Sequence, residues 1–239
     1  MSTSFEKYND ILLAAYRMSG KAMDLAAKKK EIFSDLFNQF DLDSGSILFV
    51  GFNPGIVKVE NFDISVTEVS SEVCDFLKQE QVAYDLVTDI TGKKFDVVVA
   101  MDEYFTFAST DHEQRQRVNS LCAITGTLMI TTLRDYKNQD FRDREFSQPI
   151  ALRHNNDKTI YFEHYEYDHI DRNNFAGTNY VLNDDSLDVI GPFERRTMFF
   201  KQLAKFSFDA GAKNFLVHQN LMHKSVIKKN YEHILTIKF

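Results

Sequence analysis

The chain has 239 residues, 44% of them hydrophobic, with 22 Phe and only 3 Pro; this excludes a disordered chain and suffices for one large domain, with or without an extension. No apolar run approaches the roughly 20 residues of a membrane-spanning helix, and two cysteines, Cys74 and Cys122, exclude a disulfide framework. The net charge of −7 is uneven, with nine Lys/Arg against two Asp/Glu from Arg195 to Phe239, so an acidic body speaks against a broad nucleic-acid surface while a basic tail leaves an anionic partner open.

The N-terminus, MSTSFEKYND, has no basic region followed by an apolar block, so the expected location is cytoplasmic, with both cysteines reduced. Enrichment in Phe, Tyr, Met, Ile, Asn and Lys suggests AT-rich coding DNA, as in many phages and some bacteria. Phe5, Tyr8, Ile11, Leu12, Ala15 and Tyr16 share one stripe of a helix over residues 4–19. Leu25, Ile32, Phe33, Leu36, Phe37 and Phe40 repeat the pattern over 21–40, ending in the polar turn Asp41–Gly45. Residues 1–45 thus read as a helical extension that packs on the edge of the following domain or over its binding crevice.

Ile47–Val50 is an unbroken apolar run closed by Gly51, which reads as a strand buried on both faces at the centre of a parallel sheet. Gly51, Asn53, Pro54 and Gly55 then turn the chain sharply. A glycine turn at the carboxyl end of a central strand is where an α/β sheet admits a nucleotide, because bare backbone can approach the ligand. Strands are expected at 64–69, weakly at 82–87, and strongly at 95–101 (FDVVVAM) and 127–133. Helices are expected at 71–81 and 111–125. This alternation predicts a doubly wound sheet whose strand-end loops line one edge. Four short strand-like runs then lie at 150–153, 159–167, 178–182 and 187–190, an antiparallel insertion spanning about 148–192. A helix over 194–210 and two final strands, 215–218 and 234–239, complete the pattern. His164 and His169 fall on opposite faces of their strand and lack a ligand spacing, so no metal is expected.

This order resembles the class I S-adenosylmethionine-dependent methyltransferases over residues 46–239. The resemblance implies an α/β fold: a doubly wound, mostly parallel, seven-stranded Rossmann-like sheet with the antiparallel insertion and a reversed final hairpin. It implies S-adenosylmethionine as cofactor, held by the turn Gly51, Asn53 and Gly55, by Glu68 on the ribose hydroxyls, by Asp89 at the adenine edge and by Met101. Asp102, Glu103 and Tyr104 fall at the reaction centre, where a carboxylate can take or orient a proton of the attacking group. Arg134 and Tyr136, on the same rim, are candidate acceptor-binding residues. The opening Phe95-Asp96 matches a structural position of the fourth strand. Phe49 stands where the family often has an acid, Asn53 replaces the middle glycine, and the short stretch from Gly55 to Glu68 leaves little room for the usual helix. The implied activity is methyl transfer to an unknown acceptor, with a small molecule or protein favoured, nucleic acid possible and no membrane partner. The competing reading is a methyltransferase-like domain without catalysis, used for binding or assembly.

Overall fold

The computed structural model describes residues 4–18, 22–134, 146–147, 150–154, 157–171, 173–183, 186–218 and 232–239. Tyr136 and the basic link after His218 lie outside the described residues. Two helices, α1 (Ser4–Met18) and α2 (Ala22–Gln39), precede β1 (Gly45–Val50). There follow β2 (Phe62–Thr67), α3 (Ser71–Gln79), β3 (Asp85–Leu86), β4 (Phe95–Ala100), α4 (Asp111–Ile124) and β5 (Thr125–Arg134). An antiparallel set, β6 (Ile150–His154), β7 (Asp157–Tyr167), β8 (Asn174–Leu182) and β9 (Leu187–Arg196), leads to α5 (Phe200–Asp209). The chain closes with β10 (Asn214–His218) and β11 (Glu232–Lys238). Among the described residues no helix is long and apolar enough to cross a membrane.

The main sheet has seven strands in the order β3-β2-β1-β4-β5-β11-β10. Pairs from β3 to β5 are parallel, whereas β11 runs antiparallel to both β5 and β10. Because β1 lies between β2 and β4, the chain reverses direction of travel there, and the carboxyl end of β1 opens at the switch point. Both faces of the central strands are buried, which explains their unbroken apolar text. Leu48, Val50, Val98 and Ala100 join one core cluster, and Ile47, Phe49, Val97 and Val99 the other.

Helix α1 contributes to both clusters: Phe5, Tyr8 and Ile11 to the first, Leu13 and Tyr16 to the second. Its rings span that breadth, from Phe5 against Tyr104 and Phe107 to Tyr16 against Phe52 and Phe76. Phe52 and Tyr104 follow the carboxyl ends of β1 and β4, so α1 lies over the carboxyl rim. The crossover from β1 to β2 holds only a 3-10 turn, Pro54–Lys58, as the short spacing anticipates. Helix α2 packs on that turn, where a methyl group on Gly55 would meet Phe33 at 2.5 Å and Lys29 at 2.9 Å.

The first strand is pinned at its other end by Asp96. Its carboxylate accepts from Ser46 N at 2.8 Å and Ser46 Oγ at 2.9 Å, while Ser46 Oγ accepts from Asp96 N at 3.0 Å. Asp96→Ala is expected to cost about 1–2 kcal/mol, the low end for bonds to a charged acceptor because the group is exposed. Urea unfolding of the variant should give a lower midpoint at an unchanged slope.

The second sheet, β6-β7-β8-β9, is antiparallel throughout. The structure corrects the sequence expectation at its end. β9 continues to Arg196, paired with Asn174, and α5 begins only at Phe200, so residues 194–199 are not helical. Phe193 and Arg195 are buried, alternating with solvated Glu194, which is strand periodicity. Phe208, near the end of α5, is 50% exposed. Gly211, at φ +100°, follows α5 in the left-handed region that ends helices.

Candidate functional site

The strand-end residues singled out above converge on one rim, around the carboxyl ends of β1, β2, β4 and β5. Gly51 follows β1 with φ +77°, a conformation that favours glycine. Asn53 caps the 3-10 turn, its Oδ1 accepting from Gly55 N at 2.9 Å and its Nδ2 directed at Met101 Sδ at 3.1 Å. The Lys29 ammonium reaches the same sulfur at 4.0 Å from α2. Thus Gly51, Asn53, Gly55 and Met101 are brought together. Asp89 is not part of this cluster by contact: it is exposed and accepts from Thr91 N at 2.8 Å, and that bond holds its carboxyl below the usual range.

Three of these rim residues carry backbone strain. Glu68 has φ +51°, Asp102 +55° and Glu103 +63°, left-handed values that bulky residues rarely adopt. Such strain gathers where a chain must present side chains at a strand end. Asp102 is held by its N–H, which donates to Thr132 Oγ1 at 2.9 Å.

The carboxylates of Glu68 and Glu103 have internal partners. Tyr104 Oη donates to Glu68 Oε1 at 2.7 Å, and Arg117 Nη1 stands 3.8 Å from Glu68 Oε2. The Arg117 guanidinium also lies 4.9 Å over the Tyr104 ring. Burial pushes the Tyr104 phenol well above its ordinary pKa, so it stays a neutral donor. Glu103 is 1% exposed; Arg134 Nε contacts one carboxylate oxygen at 2.6 Å and Arg195 Nη1 the other at 3.1 Å. A carboxylate so paired serves better as an anchor than as a proton carrier.

Arg195 is the centre of this polar layer. It is 1% exposed, contacts Glu163 at 3.1 Å through Nη2, and is clamped between Tyr8 at 4.6 Å and Phe107 at 4.5 Å. Arg134 Nη1 donates to Tyr165 Oη at 2.9 Å, and Tyr161 donates to Asn179. Burial raises the phenols of Tyr161 and Tyr165, keeping both neutral. The inward face of β7–β9 therefore brings Arg195, Glu163 and two neutral phenols against Glu103 and Arg134 of the rim. Gly177 makes room for them, since a methyl group there would meet Glu163 Oε1 at 2.5 Å.

Sequence reasoning missed Asn9, Lys29, Arg117, Glu163 and Arg195. A signal existed for Asn9, a polar residue four positions after Phe5 on an apolar stripe. No local pattern marks the others, because their partners are distant in sequence.

The glycine turn is covered by α1. A methyl group on Gly51 would stand 2.6 Å from Phe5 Cε1 and 2.8 Å from the Asn9 carboxamide. Asn9 Oδ1 accepts from Phe52 N at 2.9 Å, which takes up a backbone donor of the turn.

Three solved structures place this arrangement among known folds. The chain is similar to DesVI from Streptomyces venezuelae at 15% identity and TM-score 0.71, covering 96% of this chain and 97% of that one. CalS10, an amino pentose methyltransferase from Micromonospora echinaspora in a structure bound to S-adenosylmethionine, matches at 13% identity, TM-score 0.69, and 96% and 97% coverage. The fold is that of the class I S-adenosylmethionine-dependent methyltransferases. The sugar N-methyltransferase KedS8 from Streptoalloteichus is similar at 10% identity, TM-score 0.63, and 89% and 87% coverage. No protein-family model matches the chain, and no curated protein matches it.

In the methyltransferase fold the cofactor lies over the turn that ends β1. Here the Phe5 ring and Asn9 carboxamide stand against Gly51, and Glu68 is engaged by Tyr104. The residues as arranged do not fit the cofactor, and binding requires that these side chains move.

Proposed function

We propose that the chain is an S-adenosylmethionine-dependent methyltransferase, described here in a conformation closed over its cofactor crevice. The observation that carries the reading is the convergence of Gly51, Gly55, Glu68 and Met101 at the carboxyl ends of β1, β2 and β4, in the sheet order of the fold. Left-handed strain at Glu68, Asp102 and Glu103 supports it, since the ends of β2 and β4, on either side of β1, bear it together. Glu68 is the proposed ribose acceptor, because a carboxylate can take two hydroxyl donors. Asp89, on the exposed loop after β3, is the proposed adenine-edge residue. Asp102 is the proposed proton acceptor at the reaction centre. Glu103 and Tyr104, paired as they are, hold the rim in shape beside it.

We favour a small molecule bearing an amine or hydroxyl as acceptor. Two similar structures are an amino pentose and a sugar N-methyltransferase, and the layer under β7–β9 offers charged and phenolic partners of that scale. The second reading, a methyltransferase-like binding or assembly domain, is favoured by the side chains that fill the crevice. A thermal-shift titration separates them. Ligand at 100 times its dissociation constant stabilises by about 2.7 kcal/mol. For a chain of this size that raises the melting temperature by roughly 5–11 °C. S-adenosylhomocysteine should produce that shift; an unchanged melting temperature at millimolar ligand supports the binding-domain reading instead.

A further inference from the structure

The side chains that stand against Gly51 come from one element. Phe5 lies on Gly51, Asn9 takes the Phe52 N–H, and the Phe5 ring meets Tyr104 edge-on at 5.0 Å, next to the bond from Tyr104 to Glu68. Asn9 is fully buried, and its Nδ2 also donates to Phe5 O at 2.7 Å, so both ends of the carboxamide are used. A carboxamide oxygen on a turn N–H is chemically what an anionic ligand would offer there. An aromatic ring beside the turn fills the volume that a ribose or methionine chain would need. The first two turns of α1 therefore satisfy the glycine turn as a ligand would, and they adjoin the donor that occupies the ribose acceptor.

The same helix is anchored further along by a different set of contacts. Leu13 and Tyr16 belong to the opposite core cluster, with Tyr16 against Phe52 and Phe76. Asp10 is tied to Ser70, the cap of α3. The last two turns can therefore stay seated while residues 4–9 lift, a movement that also withdraws Tyr8 from Phe107 and Arg195.

We propose that residues 4–9 of α1 are an internal ligand of the crevice, and that cofactor and helix start compete for the glycine turn. The proposal rests on the methyltransferase reading and adds to it a mode of control: whatever draws the helix start away makes the site competent. A site that is competent only in a fraction of molecules binds with an affinity reduced by that fraction.

The test uses the full chain, S-adenosylhomocysteine as probe, and two measurements. Phe5→Ala removes the ring from Gly51 and is expected to bind the probe about tenfold more tightly or better, by calorimetry. Leu203→Ala, in α5, lowers stability away from the crevice and should leave affinity within about twofold. In the parent chain, hydrogen exchange over residues 4–9 should become faster when the probe saturates. Equal affinity of parent and Phe5→Ala, with exchange at residues 4–9 unchanged or slower on binding, overturns the competition while leaving the methyltransferase reading intact. Absence of binding to both chains removes that reading and the competition together. Should Phe5→Ala fail to fold, the exchange measurement on the parent decides alone.

Discussion

Arg195→Met is expected to lower stability by about 3–5 kcal/mol, the usual cost of removing one partner from a buried ion pair. For a domain of this size the melting temperature should fall by roughly 6–20 °C. The side chain of Arg195 is wholly buried and stands between Glu103 and Glu163, whose side chains are 2% and 4% exposed. Methionine fills much of the volume between Tyr8 and Phe107, so the loss is chiefly electrostatic. Glu103 retains Arg134, but Glu163 loses its guanidinium contact in a place where water cannot replace it. The double replacement Arg195→Met with Glu163→Gln should recover part of the loss, since the stranded charge is removed with its partner. Thermal unfolding of the two variants checks both statements. A single variant as stable as the parent would mean that the layer under β7–β9 is hydrated rather than dry.

Glu68→Gln is expected to weaken binding of S-adenosylhomocysteine tenfold or more while leaving the fold intact. Hydrogen bonds to a charged acceptor contribute about 1.5–3 kcal/mol each, and roughly 1.4 kcal/mol is one decade of affinity. Glutamine keeps an oxygen to accept from Tyr104, so the closed arrangement survives. What else is lost is the 3.8 Å contact with Arg117, between side chains that are each 27% exposed, which contributes little to stability. The left-handed backbone at residue 68 is as accessible to glutamine as to glutamate. An unchanged melting temperature with diminished affinity is therefore the signature of a ligand carboxylate. A fall in melting temperature with unchanged affinity would make Glu68 a structural partner of Tyr104.

The sheet was legible because its two central strands announce themselves. Ile47–Val50 and Phe95–Ala100 are apolar without interruption, and such text fits a strand covered on both faces. The missing helix between β1 and β2 was legible from spacing alone. The third strand looked weak, and it is two exposed residues at the sheet edge. The end of β9 was not legible. Arg195 is buried, and a charged residue at an inward position erases the alternation that marks a strand. The same residue explains what was missed at the site: pairs such as Arg195 with Glu103 join positions far apart in the chain, and local periodicity carries no record of them. The ring of strand-end residues could be read in order. That α1 would lie in their midst could be read only as the alternative of packing over the crevice, since nothing in its stripe says which surface it covers.

The central claim is that the rim around Gly51 and Glu68 is a cofactor site. Calorimetric titration of S-adenosylhomocysteine into the full chain, at two or more temperatures so that a vanishing enthalpy cannot hide binding, tests it most directly. The account predicts a saturable one-to-one isotherm that weakens tenfold or more in Glu68→Gln. No heat at any temperature from the parent or from Phe5→Ala, in which the ring over the turn is gone, would contradict it.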